Sequence, residues 1–365
     1  MKHKKRLCVY PYDVEFSPIL RHKELLSDYE IAALASPKGW GLIGKDAAAS
    51  DGGPLLDYMV STDFKESLML CDTVLFVEAS YPIDFESFLY PKIKSAIESE
   101  KNIICMLKLE EDYKKDLKER CEKAFVTFEY DQDDLQNNYK ENIPKLFPIN
   151  IPIVFVCGLS ERSNKFHTLL SLKTNLTTLG YKVGMIGSRR YCEIMGFQSF
   201  PEFMLGTKHS EAEKIILFNH FVKKIEVDEK PDIILIGIPG SIEAQNDILR
   251  NDFGILSYEI AAAVKPDAIV MNLQYNDYQP SYFELLNNLT TKRFGSKVTC
   301  FVIANIKFDY SNSDSFVNPQ YITLPTAFID QWLQRQQAEE VKLFNIMNAA
   351  DSQKIVHQLI HKLSQ

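Results

Sequence analysis

A glycine and a lysine seven positions apart mark the part of this sequence best suited to hold an anion. An apolar run ends at Gly158, a polar loop follows, and Lys165 opens an amphipathic segment that reaches Leu179. A strand that leads through such a loop into a helix offers backbone amides and the positive end of the helix dipole to a phosphate. The lysine ammonium would add a positive charge against the same group. The spacing therefore predicts a phosphate-binding loop.

The end of this loop departs from the usual phosphate-binding motif, which finishes in Gly-Lys-Ser/Thr. Here Asn164 and Phe166 flank Lys165. Phe166 cannot supply the hydroxyl that ligates magnesium in that motif. We therefore expect an anion-binding loop that lacks one of its magnesium ligands.

The spacing resembles the P-loop branch of the dethiobiotin synthetases, in which the loop is one residue longer than the common form. That branch ends the following helix at a Gly-Tyr/Phe-Lys/Arg break, which is matched here by residues 180–182. The later segment DIILIGIPGS resembles the branch's strand that ends in an acidic residue and a glycine-rich turn, but Gly237 stands where the acid belongs. The resemblance implies a P-loop fold with two magnesium positions lost, which argues against ordinary ATP hydrolysis.

Two adjacent arginines form a second candidate feature. Ser188, Arg189 and Arg190 follow a predicted strand, and ligands of open α/β sheets bind beyond the carboxyl ends of the strands. Paired guanidinium groups there could hold a carboxylate or a phosphate. Cys192 is either a thiol of low pKa beside these cations or, as we favour, a buried helix cysteine.

The predicted ligand is thus a nucleotide or another phosphate anion, of unknown identity, and two interpretations stay open: the loop still binds the anion, or the fold survives only as a scaffold. No catalytic residue and no metal site is predicted. The predicted binding residues are Gly158, Ser160, Glu161, Arg162, Ser163, Asn164, Lys165, Ser188, Arg189, Arg190, Gly237 and Gly240.

Other candidates have simpler interpretations. Trp40 lies in the glycine-rich segment 36–54, together with Lys45, Asp46 and Asp51. This segment could cover a polar ligand or merely form a long turn. His357 and His361 are four residues apart on a predicted helix, but that spacing lacks a third metal ligand, so we interpret them as a solvated face.

The elements that must position these residues alternate in type along the whole chain. Short runs rich in β-branched and aromatic residues predict buried strands, and segments with helical spacing separate them. This alternation predicts parallel sheets covered by helices. Strands are expected at 7–10, 29–36, 73–79, 102–107, 153–157, 182–186, 232–236, 267–273 and 298–304. Helices are expected at 85–98, 110–123, 165–179, 211–227, 258–264 and 282–289 and over most of 327–363, with a break around 348–352.

A change in composition divides the chain. Residues 131–150 are acidic, amide-rich and interrupted by proline, and Asp131, Asp133 and Asp134 belong to this linker. We place the boundary near Phe147, between a Rossmann-like or flavodoxin-like α/β domain (1–147) and a P-loop-like α/β domain with a helical tail (148–365). The first strand is not followed by Gly-x-Gly-x-x-Gly, so no dinucleotide site is predicted.

Composition narrows the partners and the compartment. The 365 residues carry a formal net charge of -8, which argues against a general nucleic-acid surface. No apolar run is long enough to span a membrane, and the first one, residues 7–10, is far shorter than a signal-peptide core. The seven scattered cysteines contain no Cys-x-x-Cys pair, as expected of reduced core residues in a cytoplasmic protein. The oligomeric state cannot be predicted.

The whole chain resembles a family of clostridial-type accessory proteins of ribosomal-peptide natural-product maturation systems. The resemblance is carried by SPKGWGLIGKDA (36–47), the GxxExxxKF loop (158–166), IGSRRYCEIMGFQSFPEFM (186–204) and PDIILIGIPGSI (231–242). It implies a protein that binds a precursor peptide or a peptide-modifying enzyme through a degenerate nucleotide-binding fold. The alternative is a transferase or ligase that uses a nucleotide or an acyl phosphate.

Overall fold

The chain forms two compact units. The computed structural model describes residues 4–130, 144–244, 250–311, 313, 319–336 and 341–365. The first unit comprises Met1–Leu135 and Ile194–Gly196, and the second comprises Gln136–Glu193 and Phe197–Gln365. Each unit contains its own parallel sheet with covering helices, which confirms the predicted α/β class. The boundary near Phe147 stays a prediction, and Asp131, Asp133 and Asp134 lie outside the described residues.

The first unit contains a six-stranded parallel sheet in the order β3-β2-β1-β4-β5-β6. This is the strand order of the Rossmann fold. Its strands are β1 (Lys5–Tyr10), β2 (Tyr29–Ala35), β3 (Val60–Ser61), β4 (Thr73–Phe76), β5 (Asn102–Cys105) and β6 (Phe128–Glu129). Its helices are α1 (Ser17–Arg21), α2 (Phe64–Met69), α3 (Tyr90–Glu98) and α4 (Glu111–Lys123). A π-helical turn at Phe85–Leu89 precedes α3, so the helix predicted over 85–98 begins irregularly.

A buried carboxylate joins the segments that follow β1 and β4, where the order of this sheet reverses. Asp13 accepts hydrogen bonds from the backbone amide of Ser80 at 2.6 Å and from its hydroxyl at 2.7 Å. The amide of Glu15 donates to the other oxygen at 2.8 Å. Burial raises the pKa of Asp13, although these hydrogen bonds oppose the shift. In a Rossmann fold this crevice holds the dinucleotide, whereas here Asp13 links its two sides.

The glycine-rich segment 36–54 is an ordered loop held by an ion pair. Arg21 binds Asp51 through two hydrogen bonds of 2.6 and 2.7 Å, and both side chains are more than nine-tenths buried. A Cβ atom at Gly53 would collide with the Arg21 guanidinium, so the glycine makes room for the pair. Asp46 caps a short 3-10 turn at Ala47–Ser50. Asp46 and Asp51, two of the charged side chains of the loop that could cover a polar ligand, therefore stabilise the loop itself.

The second unit contains a seven-stranded parallel sheet in the order β15-β12-β11-β7-β10-β8-β9, together with an antiparallel hairpin of β13 and β14. Its strands are β7 (Ile153–Gly158), β8 (Val183–Gly187), β9 (Gln198–Ser199), β10 (Ile233–Gly237), β11 (Ala268–Gln274), β12 (Cys300–Ala304), β13 (Ile306–Phe308), β14 (Tyr321–Thr323) and β15 (Leu343–Phe344). Its helices are α5 (Lys165–Thr178), α6 (Glu211–Glu229), α7 (Ile255–Ala263), α8 (Pro280–Phe294), α9 (Thr326–Arg335) and α10 (Ala349–Leu363).

The central strands of this sheet are buried on both faces, as their continuous apolar sequences predict. Every residue of β7, β10 and β11 is buried. Ser210 and Glu213 form a capping box at the start of α6, which fixes that helix at the predicted residue. None of the described helices is long and apolar enough to cross a membrane.

The C-terminal tail corrects the prediction of an almost continuous helix. The short strand β15 pairs with β12 between α9 and α10. The break predicted around 348–352 is instead the beginning of α10, because the Asn348 side chain accepts a hydrogen bond from the amide of Ala350. An asparagine that competes with the backbone in this way favours a helix N-cap over a helix interior.

Candidate functional site

The predicted anion-binding loop, residues 158–165, connects β7 to α5 at the carboxyl edge of the second sheet. A Cβ atom at Gly158 would lie 2.7 Å from Ser163 Oγ and 3.0 Å from the carbonyl oxygen of Asn272. Glycine is therefore needed where the chain leaves the strand. The Ser163 hydroxyl donates to the Ser160 carbonyl at 3.0 Å and closes the turn from inside. The loop is thus a tight, internally bonded turn.

Two residues of the loop adopt the left-handed conformation, Arg162 with φ 50° and Asn164 with φ 59°. Alternation of right- and left-handed residues turns successive backbone amides toward one side, which creates an anion-binding concavity. Within the part of the chain that the structure describes, the amides of five loop residues donate no hydrogen bond to another backbone group. These residues are Ser160, Glu161, Ser163, Asn164 and Lys165.

Lys165 begins α5 and is nearly buried, with one tenth of its side chain exposed. Its ammonium donates to the Gly240 carbonyl and lies 3.8 Å from Glu161 Oε2. Burial lowers the pKa of Lys165, and the charge of Arg189 acts in the same direction, whereas Glu161 opposes the shift. The lysine therefore lies in a confined site where an anion would stabilise its charge.

The hairpin of β13 and β14 supports the loop from one side. The Asn164 side-chain amide donates to Asn305 Oδ1 at 3.0 Å, and Asn305 donates to the Leu324 carbonyl at 2.9 Å. The Arg162 guanidinium lies over the Tyr321 ring, 4.9 Å from its centroid. Both left-handed residues of the loop are thus held by residues more than 140 positions later in the chain.

Polar side chains of β11 support the loop from below. Asn272 is fully buried; its amide donates to the Cys157 carbonyl at 3.1 Å and its oxygen accepts from the Thr168 hydroxyl at 2.6 Å. Gln274 donates to the Glu161 carbonyl at 2.8 Å. Sequence reasoning missed Asn272, Gln274, Asn305 and Tyr321, although an asparagine inside an apolar strand sequence is a signal, because a buried amide requires partners.

The positions that hold magnesium in P-loop enzymes do not fit that ion here. Phe166 replaces the hydroxyl and packs edge-on against Tyr191, with ring centroids 5.9 Å apart. Gly237 replaces the acid, and a Cβ atom there would lie 2.8 Å from Leu169 Cδ2. The room for an acidic side chain is therefore filled by a leucine. Among the described residues, no group of three or more His, Cys, Asp or Glu side chains could hold a metal ion.

The predicted arginine pair is divided between two environments. Arg189 is close enough to Lys165 for its charge to act on the lysine pKa. Arg190 instead pairs with Glu202, and its carbonyl accepts from Ser199. Ser188 is half-buried beyond β8. Cys192 is fully buried and burial raises its pKa far above the ordinary thiol value, which agrees with a core cysteine and not with a reactive one.

The remaining candidates do not extend the site. His357 and His361 are exposed on α10, as a solvated helix face would be. Trp40 packs against Tyr81 in the first unit, with ring centroids 5.8 Å apart. The predicted binding residues that the structure brings together are therefore the 158–165 loop, Arg189 and Gly240, with Gly237 beneath them.

One comparison with a solved structure supports the fold. A crystal structure of a DUF1611 family protein from Anabaena variabilis is similar over 98% of this chain and 100% of that chain, with a TM-score of 0.64 and 11% identity. Cobyrinic acid a,c-diamide synthase from Mycobacterium smegmatis, with bound ADP and magnesium, is similar over 59% of this chain and 96% of that chain, with a TM-score of 0.36 and 11% identity.

A further match is partial. Homoserine dehydrogenase from S. aureus is similar over 36% of this chain and 32% of that chain, with a TM-score of 0.28 and 15% identity. No protein-family model matches the sequence, and no curated protein matches it. The similarity to the DUF1611 family protein, which spans both units, extends to their α/β fold and not to an activity.

Proposed function

We propose that the second unit binds a phosphate-bearing ligand in the 158–165 loop, and that it does so without the magnesium ion of P-loop enzymes. The observation that carries the proposal is the group of five loop amides that find no backbone acceptor among the described residues, beside the buried ammonium of Lys165. Amide donors at the start of a helix and a lysine are the groups that recognise phosphate. Phe166 and Leu169 fill the two magnesium positions with hydrocarbon.

Isothermal titration calorimetry with pyrophosphate and with ATP, each in EDTA and in magnesium, tests this function. We expect binding in EDTA that magnesium does not strengthen. Lys165→Ala should lose about 1.5–3 kcal/mol of binding free energy, because a hydrogen bond to a charged group contributes that much. Lys224→Ala is the matched control, since it removes one positive charge from an exposed pair with Asp228 on α6.

The second candidate is a transferase or ligase that uses a nucleotide or an acyl phosphate. Lys165 favours it as well, because a lysine against the transferred group can stabilise charge that develops there. Turnover of ATP or acetyl phosphate in the presence of the partner substrate would support this candidate. Magnesium-dependent binding or hydrolysis that requires Lys165 would contradict the metal-free proposal.

We also propose that the chain works in the cytoplasm as an accessory protein of ribosomal-peptide maturation. Support comes from the four sequence segments that resemble such proteins and from the seven cysteines, all of which are buried and free, as a reducing compartment permits. Titration of the full chain with the precursor peptide and with the peptide-modifying enzyme of the same maturation system tests this accessory role. Absence of binding to both would rule it out.

A further inference from the structure

A cavity of about 500 Å³ adjoins the 158–165 loop. Its lining includes Leu159 and Ser160 of the loop, the segment that follows β11, and the strand β13 with the residues after it. Sites for small organic ligands have volumes of about 300–1,000 Å³. The cavity is therefore large enough for a ring system attached to whatever the loop binds.

One wall of the cavity is a rigid aromatic surface. Tyr278, which precedes α8, and Tyr282, in the first turn of α8, stack with ring centroids 5.0 Å apart and an interplanar angle of 12°. The Tyr278 hydroxyl donates to the Gln274 carbonyl at 2.8 Å, and its ring packs edge-on against Phe283. A ring fixed in this way loses little conformational freedom when a ligand packs against it.

The other wall carries a second aromatic pair. Phe308 of β13 is buried and contacts Tyr310 edge-on, with centroids 4.6 Å apart. Tyr310 is 64% exposed, so its ring is supported at one edge while most of its surface faces solvent. Tyrosines that expose a ring of fixed orientation supply large contact areas at low entropic cost.

The charges of the cavity do not favour a second anion. Asp277 and Lys307 both line it, and their formal charges cancel. The positive groups that could hold a phosphate, Lys165 of the loop and Arg189 beyond β8, are not among the residues that line the cavity. Shape and aromatic surface, and not net charge, therefore determine what the cavity accepts.

We propose that this cavity, defined by Tyr278, Tyr282, Phe308 and Tyr310, is a binding site for a planar aromatic ring, and that the phosphate carried by the same molecule lies in the 158–165 loop. Ser160 lines the cavity and belongs to the loop, so one ligand can occupy both. The phosphate end of this inference rests on the proposed function, whereas the ring end rests on the cavity alone.

Titrations of the full chain with three probes test the inference. The probes are 1-naphthyl phosphate, glycerol 3-phosphate, which lacks the ring, and 1-naphthol, which lacks the phosphate. We expect 1-naphthyl phosphate to bind about tenfold more tightly than glycerol 3-phosphate, because one or two aromatic contacts contribute that much. Tyr282→Ala and Tyr310→Ala should each reduce this advantage several-fold. Tyr258→Ala, at an exposed tyrosine on α7, should leave it unchanged.

Equal affinities for the two phosphates would overturn the inference, as would an advantage that persists in both tyrosine variants while their circular dichroism stays native. Lys165→Ala should weaken both phosphates equally and preserve the ratio. If neither phosphate binds, the proposed function fails, and the 1-naphthol titration alone then tests the aromatic site in the cavity. Binding of 1-naphthol that Tyr310→Ala removes would support this site. Absence of 1-naphthol binding would overturn it.

Discussion

The side chain of Leu169 occupies the space that any side chain at position 237 would need. A Cβ atom built on Gly237 would lie 2.8 Å from Leu169 Cδ2 and 3.5 Å from the Ile186 carbonyl oxygen. Leu169 is itself fully buried. The missing acid and the leucine on α5 are therefore one complementary arrangement, since neither residue could change alone without disturbing the other.

We expect Gly237→Ala to destabilise the protein by about 1–3 kcal/mol, the usual cost of overpacking a well-packed core. Leu169→Ala alone should cost about 2–5 kcal/mol. The double variant should cost less than the sum of the two, because the smaller side chain makes room for the new methyl group. Chemical denaturation measures all three. Gly206→Ala is the control, because its new Cβ would meet only the Glu202 carbonyl oxygen, at 3.7 Å. Strict additivity of the Gly237→Ala and Leu169→Ala effects in the double variant would disprove the steric argument.

Anion binding should weaken as the pH rises through the pKa of Lys165. Because burial disfavours the ammonium form, this weakening should begin below the ordinary lysine pKa of 10.5. Sulfate is the suitable probe, since its own charge is constant in this range. Lys165→Arg should keep its charge, because an arginine stays protonated, and should show no such decline. A decline of equal size in both proteins would assign it to another group.

The same lowered pKa has a defined effect on stability without ligand. The unfolded chain holds this proton more tightly than the folded chain, so the free energy of unfolding should rise with pH between the lowered pKa and 10.5. Below that window the group lowers stability by a constant amount. Urea denaturation at several alkaline pH values measures the free energy of unfolding of the parent and of Lys165→Arg. The difference between the two isolates the contribution of Lys165, because both proteins contain the same buried tyrosines.

Asn164→Ala should destabilise the second unit by about 2–3 kcal/mol. The change removes the hydrogen bond to Asn305, worth about 1 kcal/mol, and places an alanine in the left-handed conformation at a cost of about 1–2 kcal/mol. Asn164→Gly loses the same hydrogen bond but tolerates the conformation, so it should cost no more than about 1 kcal/mol. Comparison of the two unfolding curves separates the two causes. An Asn164→Gly variant as unstable as Asn164→Ala would contradict the conformational part.

Gly187→Ala should be destabilising because the new methyl group would collide with Cys192 Sγ. Replacement of Cys192 by alanine removes that sulfur, so Gly187→Ala/Cys192→Ala should recover part of the loss. Thermal unfolding of the single and double variants measures the coupling. In the folded parent, Cys192 should resist iodoacetamide, because its thiol is buried and its pKa is raised. Rapid alkylation of this cysteine in the folded protein would show that the site is open.

Local sequence signals were sufficient for much of the second unit. Strands were expected at 153–157, 232–236 and 267–273, and they occur at Ile153–Gly158, Ile233–Gly237 and Ala268–Gln274. Continuous apolar runs identify such strands because both faces are buried. The helix after the loop was expected to begin at Lys165 and does so. Spacing alone likewise placed Gly158 at the end of a strand and Lys165 at the start of a helix. Their role in phosphate binding stays a prediction.

The hairpin and the short edge strands could not be predicted in this way. Strands such as Ile306–Phe308 and Leu343–Phe344 have only two or three residues, too few for a periodic pattern. Their positions depend on pairing partners far away in sequence, which propensity does not report. The contacts of Asn164 with Asn305 and of Arg162 with Tyr321 follow from that pairing, so they were not predicted either.

The dependence of the loop on the hairpin imposes an order on the synthesis of this protein. Residues 158–165 emerge from the ribosome about 160 residues before Leu324, the last partner in the chain of hydrogen bonds that fixes Asn164. At about 5–20 residues per second, translation of that interval takes roughly 8–30 s. For this time the nascent loop lacks the contacts that fix its left-handed residues. The loop proposed to bind an anion is therefore completed late in translation, when most of the second unit already exists.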